Sequence, residues 1–149
     1  MALRQIRLFD DPILRNKSKQ VEVVDDKIRD ILNDMVETMY NTENGGGLAA
    51  PQVGILKRLV VIDMGQGLIK LINPKIIKKE GSQQVIEGCL SNPNVFGKLK
   101  RPYEVIVQAL NENGEEIQLT GTGDLAKCFC HEIDHLEGIL FTDLVTEYI

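Results

Sequence analysis

The chain has 149 residues and a mass of 16.7 kDa, a size that fits one domain, residues 1–149, with a core of its own. Its hydrophobic fraction of 43% and charged fraction of 26% are ordinary for a globular protein and exclude a disordered one. The net charge of −5 and the pI near 5.1 argue against a DNA-binding protein, which would normally carry a basic surface.

The first 24 residues carry turn signals and little periodicity, which predicts a mostly extended arm packed on the domain. Asp25 and Asp26 then offer an N-cap, and apolar residues recur at helical spacing over residues 28–40. This pattern predicts a long helix over about residues 26–42 that stops at Asn44 and Gly45.

The next segment, GGGLAAPQVG at residues 45–54, consists almost entirely of small residues. Three glycines permit positive φ and let a ligand approach the backbone closely. A phosphate-binding loop is excluded, because the Gly-Lys-Ser/Thr ending is missing and a helix precedes the segment. A flexible loop is one alternative, but the apolar run before Gln52 favours a buried segment that presents one amide side chain.

Strand-like runs separated by turn signals follow. The predicted strands cover residues 58–63, residues 68–72 up to a break at Asn73-Pro74, residues 76–79 with a return at 82–85, and residues 103–110, joined by an Asn113-Gly114 hairpin to residues 116–120. Lys98, Lys100 and Arg101 are interpreted as a solvated strand or loop edge. Successive strands flanked by helices predict an α+β domain of antiparallel sheets around a central metal-binding helix.

That last helix carries His131 and His135, the only histidines of the chain, in the stretch HEIDH. On a helix capped by Asp124 and ended by Gly138, residues i and i+4 share one face, so both imidazoles can reach one metal ion. In an H-E-x-x-H pattern the glutamate, here Glu132, is the base that handles the proton of a metal-bound water. The alternative is two ordinary histidines on an amphipathic helix.

A catalytic metal site needs a third protein ligand and an open position for water. Cys89, in EGCLS, lies between a strand and the turn residues Asn92-Pro93-Asn94, and it is the favoured ligand. Cys128 is a rival because it shares the helix face with both histidines, whereas Cys130 lies on the far side. We favour Cys128 as a residue that lines the pocket.

Compartment signals point to the cytoplasm. No apolar run approaches the roughly 18 residues of a membrane span, and the opening MALRQIRLF is too short and too polar for a secretory signal. Three cysteines, an odd number without an export signal, favour reduced thiols or metal ligands over disulfides. We therefore expect no membrane partner and no disulfide framework.

The stretches GGGLAAPQ, EGCLS and HEIDH, in this order and at these separations, resemble the three motifs of the peptide deformylase family, and the resemblance covers nearly the whole chain. Enzymes of this family remove the formyl group from the N-terminal formyl-methionine of new bacterial proteins and release formate. The resemblance implies the metal ligands Cys89, His131 and His135, Glu132 as general base and then acid, and oxyanion hydrogen bonds from the Gln52 amide and the Leu90 N–H. The implied substrate-binding residues are Gly46, Gly47, Val85, Glu87, Gly88 and Cys128.

The resemblance also implies one divalent metal ion, natively Fe(II), with Zn(II), Ni(II) or Co(II) able to occupy the site. One thiolate and two imidazoles, considered alone, would instead suggest zinc. The implied partners are N-formyl-methionyl nascent peptides, with transient ribosome contact. The chain departs from the usual pattern at Cys130, where glutamine is common, and at Phe96 and Lys127 near the substrate groove.

Two rival interpretations share part of this site. An H-E-x-x-H endopeptidase needs an acidic or histidine ligand further along, and no histidine follows His135. A structural metal domain would use Cys89, Cys128 and both histidines as a closed set without access for water.

Overall fold

The computed structural model describes residues 2–42 and 45–149. Over this part of the chain, two α-helices, α1 (Asp26–Tyr40) and α2 (Asp124–Leu136), accompany eight strands. The strands are β1 (Gly47–Ala49), β2 (Leu59–Ile62), β3 (Ile69–Glu80), β4 (Gln83–Cys89), β5 (Asn92–Arg101), β6 (Glu104–Leu110), β7 (Glu116–Thr122) and β8 (Glu147–Tyr148). Short 3-10 helices cover Pro12–Arg15, Ala50–Val53 and Phe141–Asp143.

The strands form two antiparallel sheets. One has the order β1-β2-β3-β6-β7, and the other has the order β4-β5-β8. The α+β class with antiparallel sheets around the histidine-bearing helix is therefore confirmed. No helix in the described ranges is long and apolar enough to cross a membrane.

The larger sheet lies between the two helices. Every residue of β2 is buried, and its alternate side chains point to opposite faces. Leu59 and Val61 pack with α1 in one hydrophobic cluster, while Val60 and Ile62 pack with α2 in another. Helix α2 is thereby held against the sheet on its apolar side, which leaves its histidine face turned towards β4.

The N-terminal arm is irregular apart from the 3-10 turn at Pro12–Arg15, as predicted. It packs on the domain through backbone hydrogen bonds, among them Arg7 to the Gln52 carbonyl at 2.6 Å and Ser18 to the Leu136 carbonyl at 2.8 Å. The Gln52 carbonyl belongs to the 3-10 helix Ala50–Val53, and the Leu136 carbonyl lies at the end of α2, the helix that carries both histidines. The arm therefore buttresses the segment that carries Gln52 and the end of α2.

Both helix boundaries depart slightly from the predictions. The Asp25 carboxylate caps α1 by accepting from the Ile28 N–H at 3.1 Å, and the helix ends at Tyr40, two residues early. Asn44, a predicted stop signal, lies outside the described residues. Asp124 as the cap of α2 was wrong, because Gly123 with φ 59° is the N-cap and Asp124 is the first helical residue. Gly138 marks the other end, as predicted, with φ 73°.

The predicted strand break at Asn73-Pro74 was wrong, because β3 runs through it as one strand of 12 residues. A register shift between Ile72 and Lys75 absorbs the irregularity, and Asn73 adopts φ 53°. Its side-chain amide accepts from the Val21 N–H at 2.8 Å and donates to the Val21 carbonyl at 2.9 Å. These bonds to the arm stabilise a conformation that would otherwise interrupt the strand.

Candidate metal centre and substrate cavity

Cys89, His131 and His135 form a cluster in which one ligand atom from each lies within 4.8 Å of the others. Cys89 ends β4, and the histidines lie on successive turns of α2. Cys89 Sγ is 3.4 Å from His135 Nε2, close to the about 3.5 Å expected between two donors of a tetrahedral ion with bonds of 2.0–2.3 Å. The geometry and the thiolate and imidazole donors both fit a divalent metal ion.

Cys128, the rival ligand, is not part of this cluster. Its Sγ lies against the Gly46 carbonyl at 3.8 Å, on the cavity wall, where burial raises the pKa of the thiol well above its usual value. Cys130 packs in the hydrophobic cluster between α2 and the larger sheet. Among the described residues, the geometry thus favours the three-donor set over a closed set of four.

A contact outside the cluster orients the His131 imidazole, whereas His135 Nδ1 has no hydrogen-bond partner among the described residues. Burial alone would raise the pKa of Glu87, but hydrogen bonds from Arg101 and His131 lower it to about 2. The carboxylate is therefore ionised and can only accept, so His131 Nδ1, at 2.7 Å, donates to it and Nε2 is the nitrogen left for a metal. Although burial opposes it, the charge of Glu132 and the contacts with Cys89 and Glu87 raise the pKa of His131 well above its usual value, so a metal ion bound there would displace the Nε2 proton. Burial lowers the pKa of His135 well below its usual value, which keeps this imidazole in the neutral form that binds metals.

Arg101 holds Glu87 in place. Its guanidinium donates to the two Glu87 oxygens at 2.6 and 2.9 Å and to Asp134 Oδ2 at 2.7 Å. The interpretation of Arg101 as a solvated edge was wrong, because this residue is 6% exposed. The alternation of side chains between the two faces of a strand could have identified Arg101 as buried. Lys98 and Lys100 belong to one face of β5, whereas Leu99 and Arg101 belong to the buried face.

We expect Arg101→Met to lower the free energy of unfolding by about 3–5 kcal/mol, because it leaves the Glu87 carboxylate buried without its main partner. Urea denaturation of the metal-loaded protein measures this change. Lys78→Met is the matched control, since it breaks an exposed pair with Glu80 whose side chains are 58% and 54% exposed and should cost less than about 1 kcal/mol. Equal losses in the two variants would contradict the buried role of Arg101.

Glu132 lies beside the cluster and is 4% exposed, and its Oε1 has no hydrogen-bond partner within the described ranges. Burial raises the pKa of this carboxyl to about 7, although His131 acts in the opposite direction. Gly47 on β1 makes room for it, because a Cβ at this position would lie 2.7 Å from Glu132 Oε2. A carboxyl with a pKa near neutrality and a free oxygen suits proton transfer.

Gln52 is 1% exposed and presents its amide to the cluster from the 3-10 helix Ala50–Val53. Its Oε1 accepts from the Ala49 N–H at 3.0 Å, so Nε2 must face the other way, 3.1 Å from Ser91 Oγ and 3.5 Å from Cys89 Sγ. The predicted buried segment presenting one amide thus exists. The contribution of Ser91 was missed, since nothing in EGCLS shows which group its hydroxyl contacts.

A cavity of about 500 Å³ opens next to these groups. Its lining includes six of the residues that the resemblance implied for catalysis or substrate binding, Gly46, Gly47, Glu87, Gly88, Leu90 and Cys128, together with Cys89 and His131. Val85 is not among the described residues that line the cavity. It packs with Leu99 and Phe141 in a hydrophobic cluster that the lining residues Cys89 and Val95 contact. The lining that the motifs did not indicate comes from Thr42, Met64 and residues 92–95. Phe96 and Lys127, two of the three residues that depart from the usual pattern, also line the cavity.

Comparisons with known proteins identify the family of the chain. The sequence model of the polypeptide deformylase family matches residues 3–148. Peptide deformylase 2 of Clostridium acetobutylicum is 75% identical over 149 residues, which cover all of this chain and 99% of that protein. Peptide deformylase of Acetivibrio thermocellus is 59% identical, and the match covers all of this chain and 87% of that protein.

Solved structures show the same fold. Peptide deformylase from Thermotoga maritima superposes with a TM-score of 0.94 at 39% identity, covering 98% of this chain and 99% of that one. Peptide deformylase from Synechococcus elongatus, solved in complex with actinonin, gives a TM-score of 0.93 at 43% identity, covering 97% of this chain and 79% of that one. The sequence match over almost its whole length, together with this fold, shows that the chain belongs to the polypeptide deformylase family.

Proposed function

We propose that Cys89, His131 and His135 hold one divalent metal ion and that this centre performs the deformylase reaction of the chain, the removal of formyl from N-terminal formyl-methionine. The observation that carries the proposal is the convergence of three donor atoms within 4.8 Å of one another, two of them from residues, Cys89 and His131, that line a cavity of about 500 Å³. The Glu132 carboxylate and the Gln52 amide lie beside these donors. Together these groups can generate a nucleophile, transfer protons and stabilise the oxyanion.

The reaction hydrolyses a formamide, whose carbonyl resists attack by neutral water. A divalent ion held by these donors would supply a water of lowered pKa and polarise the carbonyl. Glu132 accepts the proton of the attacking water, since its pKa of about 7 places it near neutrality. Glu132 then returns this proton to the nitrogen of the methionine, so that the amine leaves neutral and formate is the second product.

Gln52 Nε2 and the Leu90 N–H donate hydrogen bonds to the carbonyl oxygen as it gains negative charge. The Gln52 amide is held from both ends by Ala49 and Ser91, so it needs no reorientation when the charge develops. A fixed donor of this kind is worth roughly 3–4 kcal/mol of transition-state stabilisation. Leu90 lines the cavity next to Cys89, which supports a role for its backbone N–H at the same centre.

The peptide binds in an extended form between β1 and β4, which are edge strands of the two sheets. Edge strands have unpaired backbone groups that can pair with an added strand. Gly46 and Gly47 on one side and Gly88 on the other line the cavity and keep this backbone accessible. Cys128 and Glu87 border the space for the methionine side chain, and Val85 supports that wall from the adjoining hydrophobic cluster.

We further propose Fe(II) as the native ion, with Zn(II), Ni(II) and Co(II) able to occupy the same donors. Protein stripped of metal under anaerobic conditions should release no formate from formyl-Met-Ala-Ser. Reloading with each ion should restore release in proportion to bound metal, with the highest turnover for Fe(II). Formate production and metal content are measured on the same samples. Stoichiometric metal without formate release for any of the four ions would contradict the proposed activity.

The substrates are nascent chains, so the same proposal includes transient contact with the ribosome and a place in the cytoplasm. The net charge of −5 supports the expectation that DNA is not a partner.

A further inference from the structure

We propose that Lys127 makes this enzyme prefer formyl-methionyl peptides that carry an acidic side chain at their second or third residue. The inference rests on the proposed function, because it treats the cavity as the site where the peptide binds. It concerns a residue that the three motifs do not include.

Lys127 supplies an unusual charge to the cavity. Among the described residues of the lining, it is the one lysine or arginine. The carboxylate of Glu87, on the same lining, is already neutralised by Arg101 at 2.6 and 2.9 Å and by His131 at 2.7 Å. A ligand in this cavity therefore meets a fixed positive charge that no buried carboxylate of the lining cancels.

The ammonium group of Lys127 is only weakly paired. Nζ lies 3.4 Å from the Ile86 carbonyl and 3.9 Å from Asp124 Oδ1. The Asp124 side chain is 79% exposed, so water screens its attraction, whereas the Lys127 side chain is only 23% exposed. Lys127 lines the cavity, and its ammonium, beside the Ile86 carbonyl, can still donate to another acceptor.

The inference takes the extended peptide to run from the metal centre towards the N-terminal end of α2, the end at which Lys127 lies. It precedes His131 by four positions on α2, which separates the two residues by about 6 Å along the helix axis. An extended peptide advances about 3.3 Å per residue. Two residues after the methionine therefore span the distance from the metal centre to the level of Lys127.

The substrate supplies the matching group. A formylated N-terminus carries no charge, so the early charges of the peptide come from its side chains. The enzyme as a whole has a net charge of −5, which opposes the approach of acidic peptides. A preference for them has to arise from a local cation, and Lys127 occupies that place.

The test uses C-terminally amidated peptides, because a free terminal carboxylate would mimic the acidic side chain. The metal-loaded enzyme is assayed for formate release with formyl-Met-Ala-Ser, formyl-Met-Asp-Ser, formyl-Met-Ala-Asp and formyl-Met-Lys-Ser amides. We expect the better acidic peptide to exceed the neutral one in kcat/KM by about 3–5-fold at low salt, mainly through KM, as for a partly exposed ion pair. This ratio should shrink as ionic strength rises.

Two substitutions and one control isolate the cause. Lys127→Met should bring the acidic-to-neutral ratio to about 1, and Lys127→Glu should invert it in favour of the lysine peptide. Lys17→Met removes the same charge at an exposed site in the arm and should keep the wild-type ratio. A ratio unchanged in Lys127→Met would overturn the inference while the deformylase proposal stands. A wild-type enzyme inactive on every peptide would instead overturn the proposed function, and this inference with it.

Discussion

Glu132→Gln is expected to abolish deformylation and to leave the metal bound. Glutamine has nearly the same shape as glutamate, so it fits the space beside Gly47, but it cannot accept the proton of the attacking water. Glu132 serves twice, first as base and then as acid, and each such role is typically worth about 10²–10⁴-fold in rate. We therefore expect kcat to fall by at least about 10³-fold.

The measurements are formate release from formyl-Met-Ala-Ser and metal content of the same preparation. Glu137→Gln is a control on the same helix, because this residue is exposed, caps the C-terminal end of α2 and contacts Arg58 at 3.3 Å instead of the metal centre. It should retain wild-type kcat and metal content. A fully active Glu132→Gln enzyme would refute the assigned mechanism, and loss of metal in this variant would show that Glu132 acts as a ligand.

The metal ligands could be predicted from the sequence because the pattern that identifies them is local. The i and i+4 spacing of His131 and His135 fixes their common face as soon as the helix is assigned. Cys89 follows from the need for a third donor and from its position at the end of a strand. Gln52 could be selected because it is the one long polar side chain in a run of small residues.

The hydrogen-bond network that orients His131 could not be predicted from the sequence, because it depends on strand register. Arg101 reaches Glu87 only because β5 pairs with β4, with Glu87 opposite Gly97. The stretch Asn92-Pro93-Asn94 has the composition of a turn, which hid the start of β5, and the neighbouring lysines hid the buried face of its end. The strand break predicted at Asn73-Pro74 was wrong for a similar reason. The bulge there is stabilised by hydrogen bonds between Asn73 and Val21, which is 52 residues away in the sequence.

Cys89→Ala is expected to remove metal and activity together. The variant leaves two imidazoles, which is one protein ligand fewer than a catalytic site of this kind requires. Changes to outer-shell partners alone already cost about 10–100-fold in metal affinity, so loss of the only thiolate should exceed that range. After dialysis against metal-free buffer, we expect little bound metal and no measurable formate release.

The other two cysteines make this experiment decisive. Cys130→Ala changes a buried core thiol away from the cavity, and it should keep both metal and activity at some cost in stability. Cys128→Ala should keep the metal as well, because Cys128 Sγ faces the Gly46 carbonyl, and it should alter mainly KM through the cavity wall. If Cys128→Ala lost the metal and Cys89→Ala retained it, the third ligand would have been assigned to the wrong cysteine. If both variants lost it, a four-donor site closed to water would be the better description, and the deformylase mechanism would lack its open position.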